Sequence, residues 1–263
     1  MGSLAENLQR LAPPRMLRGL RRRAALAGAA VAACRAFRMF SSETPARFRV
    51  RLADARLFLH DATSTKSYDR HYVLHTAWAA RVLSESRPTL HVDVASSLQF
   101  VATISAFVPV LAIDIRPADL KLLGLKYLRG SLSALPFETA SLESVSCMHV
   151  LEHVGLGRYG DPLDYNGDLK AFSELARVIA PGGQLLLVVP ICGEPRIEFN
   201  AHRVYGFQQI MSMAMSSGLE LVEFALIPDD GSAETLIRHA SPHLAAHQHY
   251  GCGCFLMKRG RGS

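Results

Sequence analysis

The segment that most constrains the fold is residues 184–190 (QLLLVVP), whose five central residues are all Leu or Val. An apolar run of this length is typical of a strand buried on both faces of a sheet. Residues 168–179 before it carry apolar side chains at helical spacing, and Pro181-Gly182-Gly183 is a turn that ends helices. A helix that leads into a doubly buried strand predicts an α/β protein with helices on both faces of a largely parallel sheet.

The same alternation extends over the chain after Ser64. Predicted helices cover residues 68–84, 168–179 and 207–217, and predicted strands cover 90–94, 108–115, 145–150, 184–190, 219–226 and 252–258. The last strand can pair with the one before it. With 263 residues, 49% of them hydrophobic and 20% charged, the chain is long enough for one large domain. We therefore expect a three-layer, doubly wound sheet that is mostly parallel and has an antiparallel C-terminal strand.

Positive charge is concentrated at the N-terminus. Residues 1–56 contain 12 Arg, no Lys and three acidic residues, a formal charge of +9, whereas the remaining residues sum to −3. We therefore expect a basic arm over residues 1–56, partly helical or disordered, and a domain over residues 57–263. Because the domain is slightly acidic, no nucleic-acid partner is expected.

The arm has three interpretations. Its arginines could draw a peripheral helix to anionic lipid headgroups. Alternatively, three successive arginines before an apolar run that ends at residues 31–34 (VAAC) could form an export signal. It could also be a basic leader or a helix packed on its own domain. The longest uncharged apolar stretch, residues 24–34, has 11 residues, too few for a membrane span. The expected localisation is cytoplasmic, with peripheral contact to the inner face of a membrane left open.

Several motifs then follow in a fixed order. Asp114 ends a predicted strand, Leu135-Pro136-Phe137 precedes the strand that leads to residues 149–153, Pro181-Gly182-Gly183 precedes the buried strand, and His202-Arg203 precedes the last helix. In this order they resemble class I S-adenosylmethionine-dependent methyltransferases over residues 88–258. More narrowly, residues 152–162, 199–203 and 250–254 look like the family called domain of unknown function 268. The resemblance implies a Rossmann-like methyltransferase fold and methyltransferase activity.

The resemblance also implies a site for S-adenosyl-L-methionine as the cofactor, at the carboxyl ends of the first strands. It places Asp93 near the methionine amino group and Asp114 on the ribose hydroxyls. The other residues it places around the donor are Ala95, Ser96, Ser131, Leu132 and His149. Where the family has glycines that let the backbone approach the donor, this chain has Ala95, Ser96 and Ser97. Whether the donor fits such a loop is left open by the sequence.

Residues 155–160 (GLGRYG) match the GxGxxG pattern, but no helix begins directly after them, so dinucleotide binding is not expected. The resemblance makes this loop a wall of the acceptor site. The residues expected to bind the acceptor are Glu152, Arg158, Tyr159, Asp161, Asn200 and Arg203. Such a polar set suits an oxygen-rich or anionic acceptor, with arginine as a clamp. For a hydroxyl acceptor, His153 or His202 is the expected catalytic base, since imidazole titrates near neutrality.

Two further sets of side chains were weighed as metal or redox sites. His239, His243, His247 and His249 are suitably spaced, but Pro242 interrupts a helix there, and we predict a surface histidine run and no metal site. Cys252 and Cys254 share one face of a predicted strand and are expected to be buried free thiols.

The sequence therefore predicts methyl transfer from S-adenosyl-L-methionine to a small or glycan-like acceptor, at oxygen. The glycan part of this prediction comes only from the family resemblance and the polar cleft. Two alternatives are a non-catalytic methyltransferase-like binding domain that has lost the donor, and a hydrolase or transferase that uses the cleft without it.

Overall fold

The computed structural model of the protein describes residues 14–42, 48, 50–57, 67–229 and 235–261, with side chains from residue 23 onward. The chain divides into two compact units, Met1–Ser67 and Tyr68–Ser263. The predicted boundary between arm and domain, after residue 56, lies within the first of these units.

The first unit contains the helix α1 (Pro14–Ser41) and a short 3-10 turn, Leu52–Asp54. The helical part of the predicted arm is therefore present. Within it, Arg23–Ser41 is long and apolar enough to cross a membrane, judged by length and composition alone. The sequence analysis missed this segment because it counted only uncharged runs, and Arg35 and Arg38 interrupt the apolar residues.

The second unit contains a seven-stranded sheet and a separate two-stranded hairpin, β6–β7. The strands are β1 (His91–Val94), β2 (Val110–Asp114), β3 (Leu125–Arg129), β4 (Leu142–Met148), β5 (Ile179–Ile191), β6 (Arg196–Glu198), β7 (His202–Val204), β8 (Leu219–Ile227) and β9 (Gly251–Arg259). The order in the large sheet is β3-β2-β1-β4-β5-β9-β8. Strands β1 to β5 run parallel, and β9 is antiparallel to both β5 and β8. The predicted fold class is confirmed.

Helices cover both faces of the sheet, and β5 shows this most clearly because side chains alternate along a strand. Leu185 and Leu187 pack in one buried cluster with Phe172, whereas Leu186 packs in a second cluster with Trp78. The helices of this unit are α2 (Arg70–Ser86), α3 (Leu98–Ile104), α4 (Gly167–Val178), α5 (Phe207–Ser216) and α6 (Pro242–Ala246). Their apolar faces and the sheet make the three predicted layers.

One turn differs from the prediction. The helix α4 already ends at Val178, and Pro181-Gly182-Gly183 lies inside β5, where the pairing with β4 shifts register between Leu142 and Ser144. Gly182 has a φ of +79°, which only glycine adopts without strain. The motif therefore lies at an irregular point within β5, and the helix that it was expected to end stops before it.

The strand order indicates at which edge of the sheet a ligand can bind. From β1 the chain continues to β2 on one side of the sheet, and from β4 it continues to β5 on the other side. A crevice therefore opens beyond the carboxyl ends of the neighbouring strands β1 and β4. Because β9 is antiparallel, its first residue, Gly251, pairs with Ile191 at the end of β5. The start of β9 therefore lies at this same edge.

Candidate functional site

A cavity of about 830 Å³ opens at the carboxyl edge of the sheet, within the second unit. All but three of the predicted site residues line it. The predicted residues that line it are Ala95, Ser96, Asp114, Ser131, Leu132, His149, Glu152, His153, Arg158, Tyr159, Asp161 and His202. The residues that do not are Asp93, Asn200 and Arg203. The structure therefore brings together donor-side and acceptor-side predictions in one cavity.

We call the part formed by Ala95, Ser96, Asp114, Ser131 and Leu132 the β1–β3 end, because each lies at or just after the end of one of these strands. Beneath it lies Asp93, which is completely buried. The Asp93 carboxylate accepts hydrogen bonds from Ser146 Oγ at 2.5 Å and from the Ser96 backbone N–H at 3.0 Å. Burial raises the pKa of Asp93 to about 6. Asp93 thus holds the loop from within the protein and does not line the large cavity, and its contact with the donor's amino group stays a prediction.

In the glycine-free loop after β1, both serine hydroxyls accept hydrogen bonds from backbone N–H groups, although Ser96 and Ser97 are partly exposed and line the cavity. Ser96 Oγ accepts a hydrogen bond from the Met148 backbone N–H at 3.2 Å, and Ser97 Oγ caps α3 by accepting from Phe100 N–H at 3.3 Å. Ala95 has a φ of +57°, a left-handed conformation that usually requires glycine. The loop therefore has a glycine-like backbone, and backbone N–H groups fix the positions of its two hydroxyls.

Asp114 stands at the end of β2, partly exposed to the cavity. Its Oδ1 accepts a hydrogen bond from the Arg116 backbone N–H at 2.7 Å, which fixes the carboxylate at the strand end. Arg116, which the sequence analysis did not single out, also lines the cavity, with its guanidinium 5.1 Å from the centre of the Tyr159 ring. The β1–β3 end thus offers a fixed carboxylate beside small and apolar groups.

The opposite part, which we call the histidine end, consists of His71, His149, Glu152, His153 and Tyr250. At its centre Glu152 is 1% exposed. Glu152 Oε1 accepts a hydrogen bond from His149 Nδ1 at 2.9 Å and lies 3.9 Å from His153 Nε2. Its Oε2 is buried and has no hydrogen-bond partner among the residues that the structure describes. A buried carboxylate oxygen without a donor is costly unless a ligand or a proton satisfies it.

The environment of His153 fixes its tautomer. Its Nδ1 lies 2.7 Å from the Ala201 carbonyl oxygen, which can only accept, so Nδ1 carries the hydrogen and Nε2 the lone pair. Burial lowers the pKa of His153, so the imidazole is neutral at pH 7. His153 therefore presents a proton acceptor beside Glu152.

Three aromatic rings from the first turns of α2 surround His149. The rings of His71, Tyr72 and His75 have centroids 5.8, 5.3 and 5.0 Å from that of His149. Burial lowers the pKa of His71 to about 4 and that of His75 to about 3, so both are neutral at physiological pH. The sequence analysis singled out none of these three rings.

Tyr250, just before β9, belongs to the histidine end, and Cys252, within β9, lies next to it. The Tyr250 ring stacks on that of His71, with centroids 5.6 Å apart, and Cys252 Sγ lies 3.6 Å from His149 Nε2. Burial raises the pKa of Tyr250 to about 12. Cys252 and Cys254 are buried free thiols, as predicted.

In the loop with the GxGxxG pattern, backbone N–H groups donate hydrogen bonds to the carboxylate of Asp161, which belongs to the same loop. Asp161 Oδ2 accepts from the backbone N–H groups of Gly155 at 2.6 Å and Gly157 at 3.4 Å, and Oδ1 accepts from Tyr159 N–H at 3.3 Å. Burial acts to raise the pKa of Asp161, but these donors outweigh it and lower the pKa. The next helix begins only at Gly167. Asp161 therefore shapes the loop, and because it also lines the cavity its contact with an acceptor stays a prediction.

Arg203 has a structural role in place of the predicted clamp. It is 5% exposed, and its guanidinium donates to the carbonyl oxygens of Val154 at 2.6 Å and Tyr165 at 3.0 Å, with Asp168 Oδ2 3.5 Å from Nε. The predicted acceptor contact of Asn200 also finds no support, because Asn200 is exposed on the β6–β7 turn, outside the cavity. A strand-end arginine looks the same in sequence whether it faces a ligand or loop carbonyls.

The rim of the cavity carries the remaining polar residues. Arg158 donates to the Ala201 carbonyl at 3.0 Å, and its guanidinium lies 5.2 Å from the centre of the Tyr159 ring. His202 Nε2 lies 3.2 Å from Glu198 Oε2, without hydrogen-bond alignment. The ring of His202 is 6.2 Å from that of His153, so both predicted bases reach the same cavity.

The histidine run near the C-terminus lies outside the cavity. His243 and His247 are exposed on consecutive turns around α6, with their Nε2 atoms 3.3 Å apart. The lining of the cavity includes neither of them.

Comparison with known proteins places the fold among methyltransferases. The family described as "Caenorhabditis protein of unknown function, DUF268" matches residues 137–242. The structure is similar to that of 1,6-didemethyltoxoflavin-N1-methyltransferase from Burkholderia thailandensis, solved with 1,6-didemethyltoxoflavin and S-adenosylhomocysteine, at a TM-score of 0.52 and 11% identity over 71% of this chain and 78% of that one. It is also similar to a protein assigned as a sarcosine dimethylglycine methyltransferase from Galdieria sulphuraria, at a TM-score of 0.51 and 16% identity over 72% and 86% of the two chains.

A comparison with curated protein sequences finds no match. The predicted resemblance is confirmed at the level of fold: the chain has a Rossmann-like methyltransferase fold, and it resembles the DUF268 family over residues 137–242.

Proposed function

We propose that the protein transfers a methyl group from S-adenosylmethionine to a hydroxyl of a small, oxygen-rich or glycan-like acceptor. The observation that carries this proposal is the cavity of about 830 Å³ that lies between Asp114 and the Glu152–His153 pair. Its volume falls within the roughly 300–1,000 Å³ of small-molecule sites. Its position is the one that ligands take in open α/β sheets.

The β1–β3 end fits the donor. In support, Ala95 has the positive φ that glycine usually takes in such a loop, and the hydroxyls of Ser96 and Ser97 are held by backbone N–H groups. At the end of β2, the Asp114 carboxylate can accept hydrogen bonds from two ribose hydroxyls. Ser131 and Leu132, which line the same wall, would hold the adenine. The protein from B. thailandensis, whose fold is similar, was solved with S-adenosylhomocysteine.

The histidine end suits the acceptor. The sulfonium of the donor supplies an activated methyl group, so this chain has to align the acceptor oxygen and remove its proton. As the new O–C bond forms, the electrons of the S–C bond pass to sulfur and the hydroxyl proton passes to His153 Nε2. Glu152 Oε1, at 3.9 Å from that nitrogen, stabilises the resulting imidazolium. The unpartnered Oε2 of Glu152 can accept a hydrogen bond from the acceptor. His202 stays the second candidate for the base.

For the first unit, we propose that α1 brings the protein to the cytoplasmic face of an anionic membrane. In support, the segment Arg23–Ser41 combines apolar length with Arg35 and Arg38. Sedimentation of the full chain with phosphatidylserine vesicles should weaken when both arginines are replaced by glutamine, because each basic residue contributes roughly 1 kcal/mol near an anionic surface. Unchanged sedimentation would contradict the proposal.

The methyltransferase proposal is tested in two steps. Calorimetric titration with S-adenosylmethionine and S-adenosylhomocysteine should show binding at micromolar concentration, and no heat at millimolar concentration would refute the proposal. Protein that binds is then incubated with donor carrying a tritiated methyl group and a panel of mono- and disaccharides, inositol and glycerol. Label on a hydroxyl supports transfer to oxygen. Donor binding without label on any member of the panel would favour a non-catalytic binding domain.

A further inference from the structure

We propose that His71, His149 and Cys252 bind a zinc ion at the histidine end of the cavity. Their candidate ligand atoms all lie within 4.8 Å of one another. They come from three separate parts of the fold: the first turn of α2, the residue after β4, and the start of β9. Two imidazole nitrogens and one thiolate sulfur form a ligand set that is typical of zinc.

The distance between His149 Nε2 and Cys252 Sγ, 3.6 Å, matches the size of a zinc site. In tetrahedral coordination, with bonds of about 2.0–2.1 Å to nitrogen and about 2.3 Å to sulfur, the two ligand atoms lie about 3.6 Å apart. This edge of the tetrahedron is therefore already formed. The ring of His71 lies nearly parallel to that of His149, with 7° between their planes, and its candidate ligand atom lies within 4.8 Å of the other two.

Glu152 supports the site from behind. It accepts the hydrogen bond from His149 Nδ1 at 2.9 Å, which leaves the lone pair on Nε2, the atom that faces Cys252. A carboxylate that holds a histidine in this way is the common arrangement behind metal-binding imidazoles. The charges also balance, because a divalent zinc offsets one thiolate and the buried carboxylate of Glu152.

The open position of such a site faces the cavity. Three protein ligands leave a fourth coordination position for water or substrate, as in catalytic zinc sites. His71, His149 and Tyr250 all line the cavity, so a heteroatom of a cavity ligand can reach the metal. In methyl transfer the zinc would bind and orient the acceptor oxygen. That role rests on the proposed function, whereas metal binding itself does not.

The full chain, stripped with a chelator and free of methyl donor, is titrated with cobalt(II) and followed by absorption spectroscopy. Cobalt bound to Cys252 should give a thiolate-to-metal charge-transfer band and the intense visible bands of tetrahedral cobalt, saturating at one equivalent. Zinc added afterwards should displace it. A wild-type protein without a charge-transfer band would overturn the proposal.

Variants separate this site from other ligands. Cys252→Ser should abolish the charge-transfer band, whereas Cys192→Ser, at another buried cysteine, should retain it. The double replacement of His243 and His247 by glutamine controls for metal bound at the exposed histidine pair and should also retain the band. A band that survives in Cys252→Ser would refute the assignment.

If the Cys252→Ser variant fails to fold, the Glu152→Gln variant tests the proposed zinc site instead. Loss of a carboxylate behind a metal-bound histidine typically weakens binding about 10–100-fold. We expect a cobalt affinity lower by that factor with the charge-transfer band unchanged in position, and unchanged affinity would count against the site. Because no methyl donor is present, failure here leaves the calorimetric test of the proposed function unaffected.

Discussion

The two ends of the cavity are built in different ways. At the β1–β3 end, each residue follows directly on the strand that positions it, as Ala95 follows β1 and Asp114 ends β2. At the histidine end, His71 comes from α2, Glu152 from the 3-10 turn Leu151–His153 after β4, and Tyr250 from the segment before β9. Each residue of the first end is therefore positioned by the strand next to it in the chain, whereas the second end is assembled from a helix, a turn and the segment before a strand, which are far apart in the chain.

Their chemistry differs as well. The β1–β3 end offers backbone, small side chains and the fixed carboxylate of Asp114, which suits the binding of one defined molecule. The histidine end gathers imidazoles, and burial lowers the pKa of His71 to about 4 and also lowers that of His153, so these two are neutral at pH 7. Neutral imidazoles can accept protons or bind metals. This difference suggests that one end binds the donor and the other carries the chemistry.

The largest expected effect is on turnover at the histidine end. Replacing His153 by glutamine removes the proposed proton acceptor, and the rate of label transfer at saturating donor should fall roughly 1,000-fold, within the range for loss of a general base. Donor affinity should change less than twofold, because His153 lies at the other end. The exposed His247→Gln variant serves as the control. A His153→Gln rate near that of the wild type would remove this residue from the mechanism.

The next effect is on donor affinity at the β1–β3 end. Asp114→Ala removes a carboxylate that should accept two ribose hydroxyls, and the Kd for S-adenosylhomocysteine should rise about 100-fold, or roughly 2.7 kcal/mol. Asp119→Ala, at an exposed carboxylate outside the cavity lining, should have no effect. Calorimetry measures both. Equal affinities for the two variants would show that this end does not bind the ribose.

The sheet could be predicted from local sequence, because the run of Leu and Val in β5 indicates a buried strand without reference to distant residues. The residues of the β1–β3 end, by contrast, came from the resemblance to methyltransferases. The short helix α3 and the strand β3 (Leu125–Arg129) were missed, since seven helical residues show little periodicity and LKYLR shows no clear apolar alternation.

The histidine end could not be predicted in the same way. His71 and His149 are far apart in the chain, and Cys252 is farther still, so no spacing within one segment connects them. A motif of closely spaced histidines, by contrast, drew attention to His243 and His247, which lie outside the cavity. The resemblance to methyltransferases supplied Glu152 and His153, but their relation to α2 and β9 required the structure.

Two buried groups next to the two ends, His75 beside His149 and Asp93 beneath Ser96, should respond to pH with opposite sign. The folded-state pKa of His75, about 3, is below its unfolded value, so the unfolded chain binds more protons and stability falls as the pH drops below about 6.5. The folded-state pKa of Asp93, about 6, is above its unfolded value, so its contribution is full below about 3.9 and is lost as the pH rises through 6.

Between pH 4 and 6, each group should therefore change the free energy of unfolding by about 1.4 kcal/mol per pH unit, in opposite directions. His75→Gln should make stability rise less steeply with pH, and Asp93→Asn should make it rise more steeply. Urea unfolding at half-unit pH intervals measures both slopes. Slopes that shift in the same direction for the two variants would contradict the opposing pKa shifts.

The smallest expected effect concerns the glycine-free loop, and two alanines of equal φ make it measurable. Ala95 and Ala140 both have a φ of +57°, but only Ala95 lines the cavity. Replacing either by glycine should relieve left-handed strain and raise the free energy of unfolding by about 0.5–1 kcal/mol. Only Ala95→Gly should also tighten S-adenosylhomocysteine binding, about threefold, because it removes a methyl group from the donor's path.

Comparison of the two variants isolates the role of the methyl group, since the relief of backbone strain is common to both. If Ala95→Gly and Ala140→Gly gain stability equally and neither changes donor affinity, the Ala95 methyl does not approach the donor. If Ala95→Gly alone binds more tightly, the side chain that replaces glycine in this loop limits affinity without preventing binding. The β1–β3 end would then be a donor site weakened by one methyl group, while the histidine end keeps its full set of reactive side chains.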